Sequence, residues 1–215
     1  MIVNEVVTGI VAVVVAYLIC SVPFAYIFTR LATGRDIRKL GSGNAGANNV
    51  YRSVGFKAAI PVAIFDVGKG AAAAAIAHWL LRVPLYEPDI WLLLAGVAAV
   101  AGHTWSVYLK FSGGNGLSAT IGVLAILLPW ELLIVAVLIL ILRVITRNTV
   151  LSANIALLTV PISAWFIEKE WLYVAFCLIL IVMLVLNFLP TAKVALTKSG
   201  SRKNLADNLL RRDKR

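Results

Sequence analysis

Charge is scarce in this chain, and so are the residues that usually carry soluble chemistry. Only 14% of the 215 residues are charged, ten acidic against twenty basic, and there are two cysteines and two histidines. Cys20 and Cys177 each lie inside an apolar run, so a disulfide framework is not expected and both read as small buried hydrophobes. No stretch looks like a soluble domain, and no internal repeat is evident beyond the short echo between SGNAG and SGGNG. A basic leader is missing as well: Asn4 and Glu5 precede the first apolar run, and no cleavage site of small residues ends it. That segment is therefore expected to be a retained helix and not a signal peptide.

What the chain does have is grease, 61% of it hydrophobic. Several runs approach the roughly 20 apolar residues that cross a bilayer. In lipid every backbone polar group must be paired internally, which leaves helices or a closed barrel, and continuous apolar runs favour helices. Candidate spans are residues 6–29, 58–81, 90–109, 118–129, 131–146, 150–166 and 171–190. The run from 118 to 146 reads either as one long helix or as two, folded back at Pro129-Trp130-Glu131. Charge decides. With seven spans and the N-terminus outside, seventeen of the twenty basic residues fall on the inner face, and only Arg82 and Lys169 fall outside. Six spans would separate the basic tail from the 30–57 loop and destroy that bias. The expectation is an all-α, seven-transmembrane-helix bundle with a cytoplasmic C-terminus. It forms a single polytopic membrane domain over 1–215, ending in a basic cytoplasmic tail at 191–215. The net charge of +10 then reads as topology plus attraction to anionic lipid or substrate, not as nucleic-acid binding.

The polar elements gather on the inner face. The stretch from Asp36 to Gly55, DIRKLGSGNAGANNVYRSVG, combines glycines, cations and asparagines in a way no lipid-facing helix can use. Glycines let the backbone turn its N–H groups toward an anion. A second such element, Phe111-Ser112-Gly113-Gly114-Asn115-Gly116, opens the next helix, and helix N-termini with glycine-rich entries suit phosphate. His103 lies in the span before it, with Lys110 seven residues on and so on the same helical face. His103 reads either as a packing residue or as part of a site, and the nearby cation and turn favour the site. Asp66 and Lys69, three apart, share a face and can pair; an ion pair that orients helices and a ligand role both remain open. The glycines of FDVGKG around them allow close helix packing. His78 reads as interfacial. Leu205, Leu209 and Leu210 in the tail have helical spacing, consistent with a surface helix on anionic lipid or with a plain topological anchor.

The runs SVPFAYIFTR, GRDIRKLGSGNAGANNVYRSVG, FDVGKG and GHTWSVYLKFSGGNG resemble the bacterial membrane glycerol-3-phosphate acyltransferases that use acyl phosphate. The resemblance implies a seven-helix bundle that transfers a fatty acyl group from acyl phosphate to the 1-hydroxyl of glycerol 3-phosphate. Lysophosphatidate and phosphate leave, with no metal, no other cofactor and no acyl-enzyme. It implies that Ser42, Asn44 and Arg52 hold phosphate and that Gly113, Gly114 and Gly116 cradle the acyl phosphate. His103 would lie beside the reacting groups, and Arg202 and Asn204 of the tail would close over glycerol 3-phosphate. The enzyme that makes acyl phosphate is an implied partner, and the plasma (inner) membrane the implied location. Some positions depart from the family pattern. Asn115 stands where a lysine is usual, with Lys110 as a candidate substitute. Asn48 replaces a threonine, Ser201 replaces a histidine, and Ser152 looks shifted by one residue. A diverged member with another acceptor is one alternative. A carrier of anionic solutes is another, disfavoured because two-fold internal symmetry is missing. The other large acyltransferase class needs His followed five residues later by Asp; Val83 and Tyr108 stand there instead.

Overall fold

The computed structural model describes residues 2–147 and 149–199, which contain ten α-helices and no strand. These are α1 (Ile2–Ser21), α2 (Phe24–Thr33), α3 (Ala47–Ser53), α4 (Phe56–Leu81), α5 (Ile90–Thr104), α6 (Leu117–Leu127), α7 (Pro129–Thr146), α8 (Thr149–Leu157), α9 (Val160–Ile167) and α10 (Trp171–Ser199). Met1–Leu127 and Leu128–Arg215 form two compact units.

In the first unit α4 is the central helix and packs against α1, α5 and α6. Its inner face is made of small residues, with Gly70, Ala73, Ala74 and Ala77 all buried. A Cβ on Gly70 would strike the Ala119 carbonyl of α6, and one on Gly122 would strike the Val67 carbonyl of α4. Backbones in such contact gain dispersion and need no large side chains between them, the usual solution for helices in lipid. The large apolar residues point the other way: Ile60, Ile64 and Phe65 of α4 and Val7, Ile10 and Val14 of α1 are exposed. Of the glycines in FDVGKG, Gly70 is the packing residue, whereas Gly68 has open space around it.

The first expected span is broken. Pro23 has no N–H to give the Ile19 carbonyl, and Val22 N–H takes that acceptor instead in a tighter turn at 3.3 Å. The carbonyls freed at this break collect side chains from elsewhere. Ser106 Oγ donates to Ser21 O at 2.5 Å, and Lys69 Nζ donates to Val22 O at 2.8 Å. The break thus ties α1 to α4 and to the end of α5.

In the second unit α7 starts at Pro129, well placed at a first helical position, so the run from 118 to 146 is two helices and not one. The segment expected at 150–166 is two helices, α8 and α9, interrupted just before Pro161. α10 runs on past 190 to Ser199, so the polar stretch after 191 begins as helix. Among the described residues four helical stretches are long and apolar enough to cross a membrane: Asn4–Thr33 (α1 with α2), Phe56–Leu81 (α4), Ile90–Leu109 (α5 with the short turn after it) and Pro129–Thr146 (α7). Leu117–Leu127 (α6), Leu151–Ile167 (within α8 and α9) and Trp171–Asn187 (the first part of α10) are shorter apolar stretches. Cys20 and Cys177 are buried and free, as expected.

Candidate active site

The loop after α2 is built around one buried side chain, Asn49. Its Nδ2 donates to the carbonyls of Ile37, Leu40 and Asn44 at 3.3, 3.0 and 2.9 Å, and its Oδ1 accepts from Ser42 N–H at 3.1 Å. Asn49 thereby closes residues 37–49 into a ring. Gly41 is at φ +55 and would drive a Cβ into Asn49 Oδ1, so glycine is required there both by conformation and by space. Below the ring, Ile37, Val50, Ala45, Val62 and Leu109 form a small apolar core. Ile37 and Val50 are fully buried, each worth about 1.5–3 kcal/mol in holding the loop down.

Arg38 is the second anchor. Its guanidinium makes three bonds to Asp36 between 2.7 and 3.1 Å and donates to Leu109 O at 3.1 Å. Its hydrogen bonds, followed by the Arg38 backbone N–H and the nearby charges, outweigh burial and hold the Asp36 carboxyl below the usual aspartate range. Arg38 therefore locks the first loop to the second. It is already paired, so it is no free cation for a substrate.

α5 stops at Thr104 and not at 109. The Trp105 carbonyl is taken by Tyr17 Oη at 2.7 Å, Ser106 is held to α1, and a single 3-10 turn follows at Val107–Leu109. The helical line expected from His103 to Lys110 is consequently not formed. Lys110 and Phe111 both have positive φ, at 56 and 60°, and swing the chain back. That reversal delivers Gly113 and Gly114 to His103. Gly114 N–H donates to His103 O at 3.0 Å, and a Cβ on Gly114 would overlap His103 Nε2. Ala45 N–H donates to Gly113 O at 3.2 Å, which joins the two glycine-rich loops directly. Gly116, at φ +90, accepts the first helical bond of α6 from Thr120 N–H at 2.9 Å. The N–H groups that follow it have no acceptor within the helix and point out of its first turn.

His103 is buried, and its Nδ1 lies 3.7 Å from Asp66 Oδ1, which Lys69 Nζ approaches to 2.8 Å. Asp66 and Lys69 are thus an ion pair in the bundle interior, in contact with the histidine. Lys69 also lies 5.6 Å from the centre of the Phe24 ring.

Of the residues named from the sequence, Asn44, Gly113, Gly114 and His103 come together through the Ala45–Gly113 link. Ser42 is exposed on the same ring, Arg52 is exposed on α3, and Gly116 is buried at the entry to α6. Asn115 is half-buried between its glycines, and Lys110 is exposed. Arg202 and Asn204 lie outside the described residues. Ser152 is wholly buried, with its Oγ 2.8 Å from Thr146 Oγ1. Among the described residues no group of His, Cys, Asp or Glu is arranged to hold a metal ion.

A buried ion pair, a histidine and two fused glycine loops, all carried by apolar helices, define an integral membrane protein with a polar site at one end of its first unit. A family model described as glycerol-3-phosphate acyltransferase matches residues 10–196. The chain belongs to that family. It is 37% identical over 209 residues to glycerol-3-phosphate acyltransferase 1 of Dehalococcoides mccartyi, covering 94% of this chain and 99% of that one. The glycerol-3-phosphate acyltransferase of Rhizobium meliloti is 43% identical over 153 residues, 71% of each chain. Among solved structures, PlsY (YgiH), an integral membrane glycerol 3-phosphate acyltransferase in its glycerol 3-phosphate form, superposes with a TM-score of 0.78. That match has 26% identity and covers 88% of this chain and 92% of the other.

Proposed function

We propose that this protein transfers a fatty acyl group from acyl phosphate to the 1-hydroxyl of glycerol 3-phosphate. The observation that carries the reading is the bond from Ala45 N–H to Gly113 O, which brings two glycine-rich loops together beside His103. Two anionic substrates need two such cradles, because their mutual repulsion must be offset by oriented N–H groups and cations. Ser42, Asn44 and Arg52 hold the phosphate of glycerol 3-phosphate. Gly113, Gly114, Asn115 and Gly116 receive the acyl phosphate at the start of α6, with Lys110 supplying charge. The acceptor hydroxyl forms the new C–O bond, the bond from the acyl carbon to the phosphate oxygen breaks, and lysophosphatidate and phosphate leave. The hydroxyl proton goes to His103 or to a phosphate oxygen. An acyl phosphate is already activated, so positioning and charge stabilisation do most of the catalysis.

The same reading places seven crossings in the plasma membrane, N-terminus outside, with the site on the cytoplasmic face. Residues 1–215 are then one polytopic domain, with the basic tail at 191–215 bringing Arg202 and Asn204 over the acceptor. An enzyme that makes acyl phosphate is the natural supplier.

Purified protein in nanodiscs, given glycerol 3-phosphate and palmitoyl phosphate, is expected to release phosphate and form lysophosphatidate in equal amounts. Silence with that donor, and with acyl-CoA and acyl carrier protein donors, would remove the enzyme reading. Turnover with acyl-CoA alone would replace the donor. Asn115, where the family pattern has lysine, favours a diverged member as the second reading. If the lost charge limits the rate, Asn115→Lys raises kcat/KM by about tenfold, the scale of one charge-assisted contact. An unchanged or lower value means the site has been rebuilt around asparagine.

A further inference from the structure

We propose that the groove between the end of α2 and the start of α4 seats one anionic phospholipid of the surrounding bilayer, its acyl chains on the apolar walls and its phosphate toward Arg35 and Lys57. The proposal rests on the chain being an integral membrane protein and not on the acyl-transfer reading.

The groove forms where the two helices part. Deeper along the seam, aromatic rings fill the space between them: Phe24 and Phe28 lie 4.9 and 5.6 Å from Phe65. Nearer the ends of the helices the small side chains of Ala32 and Ala58 line the seam, and an open groove of about 690 Å³ remains. That volume falls within the about 300–1,000 Å³ of small-molecule sites. Its walls include Phe28, Leu31, Val54, Phe56 and Pro61. Leu31 and Phe56 are 77% and 65% exposed, so the chain itself gives them little apolar cover. Exposed Ile60 and Ile64 follow Phe56 at four-residue steps on α4, and Gly68 continues the row with open space around it. Residues four apart are neighbours on a helix surface. The groove therefore opens onto a continuous apolar stripe, along which a long chain can enter from the bilayer.

The mouth of the groove is basic. Between Phe24 and Phe65 the chain carries Arg30, Arg35, Arg38, Lys39, Arg52 and Lys57 against one acidic residue, Asp36, which Arg38 already engages. Arg35 is held at the lip: its backbone N–H donates to Thr33 Oγ1 at 3.2 Å, and Thr33 Oγ1 donates to Thr29 O at 2.9 Å. Lys57, in the first turn of α4, lines the groove itself. Both side chains are exposed, and among the described residues neither belongs to an ion pair. An occupant must match both features. A soluble anion leaves the walls uncovered, and a neutral lipid leaves the two cations without a counter-charge. An anionic phospholipid satisfies walls and cations together, as in other basic pockets between membrane helices.

Ordinary surrounding lipid covers apolar surface whatever its headgroup, so selectivity for the headgroup is the property to measure. The full chain is placed in nanodiscs of equal parts phosphatidylglycerol and phosphatidylcholine, and the lipid it retains is identified by native mass spectrometry. One phosphatidylglycerol is expected, enriched about tenfold or more over phosphatidylcholine. Arg35→Gln combined with Lys57→Gln should abolish that enrichment, two basic side chains being worth about 10–30-fold at an anionic surface. Lys39→Gln, which removes an exposed cation outside the groove, should leave it unchanged. Ala32→Phe fills the groove and should lose the retained lipid with the thermal midpoint unaltered. Palmitoyl phosphate at the same concentration should leave the phospholipid in place. Equal retention of the two phospholipids, equal loss with Lys39→Gln, or lipid still held by Ala32→Phe would overturn the proposal. Displacement by palmitoyl phosphate would also overturn it, by making the groove part of the acyl-transfer site. No arm needs turnover, so failure here is distinct from silence in the activity assay.

Discussion

The carboxamide of Asn49 and the glycine at 114 show how much of this site depends on single atoms. Asn49 holds three carbonyls and one N–H of the 37–49 ring, whereas its neighbour Asn48 is exposed. In the sequence the two asparagines are indistinguishable; the path of the backbone decides which one turns inward. Asn49→Ala is expected to lower kcat/KM by about 10²-fold, near 2.7 kcal/mol of lost positioning, while Asn48→Ala changes it by less than about twofold. Steady-state kinetics on the two variants checks this, and equal effects would mean that the ring is not what orders the site. Gly113, Gly114 and His103 could be picked out as a group from residue types and order alone, and the structure brings them into contact. Arg38 was not legible as a clamp, because pairing with Asp36 and Leu109 depends on a loop-to-loop approach that no local pattern encodes.

At the scale of helices, the readable signals were the backbone breakers and the apolar runs. Pro129 announced the break between α6 and α7, and the boundaries follow it. Pro23 and Pro161 carried the same signal inside runs that looked continuous, and both interrupt the helix. The end of α5 gave no such sign. It is set by Tyr17 and Ser106, which bridge α1 and the chain leaving α5, and so by tertiary contact. Glycine is similarly ambiguous until neighbours are known. Gly122 sits with backbone of α4 against it, while Gly68, two residues from Gly70, has open space. Gly122→Leu should therefore force α4 and α6 apart, lowering the thermal midpoint in detergent by about 10 °C or more, as overpacking of a close seam does. Gly68→Ala should be neutral or stabilising by up to about 1 kcal/mol, the difference in helix propensity. Equal destabilisation by the two would mean that the seam is looser than drawn.

For the molecule as a whole the distribution of charge is the strongest statement about membrane topology, and it reaches further than helix length does. Among the described residues four helical stretches have the length and composition to span alone, whereas α6, at 11 residues, falls short of the roughly 20 needed to cross unaided. Short helices can cross where the bilayer thins or where neighbours shield their ends. Placing seventeen of the twenty lysines and arginines on one face requires that α6 and α7 both do so. The two buried native cysteines are replaced with alanine, and single cysteines are introduced by Ser112→Cys, Arg147→Cys, Glu87→Cys and Lys169→Cys. Seven crossings predict that positions 112 and 147 react with an impermeant maleimide from the cytoplasmic side, and 87 and 169 from the other. If α6 and α7 cross only once between them, position 147 changes sides and position 169 changes with it, while 112 and 87 keep theirs. The basic tail would then face away from the glycine loops. Arg202 and Asn204 could not close over glycerol 3-phosphate, so this labelling pattern also decides whether the tail belongs to the site.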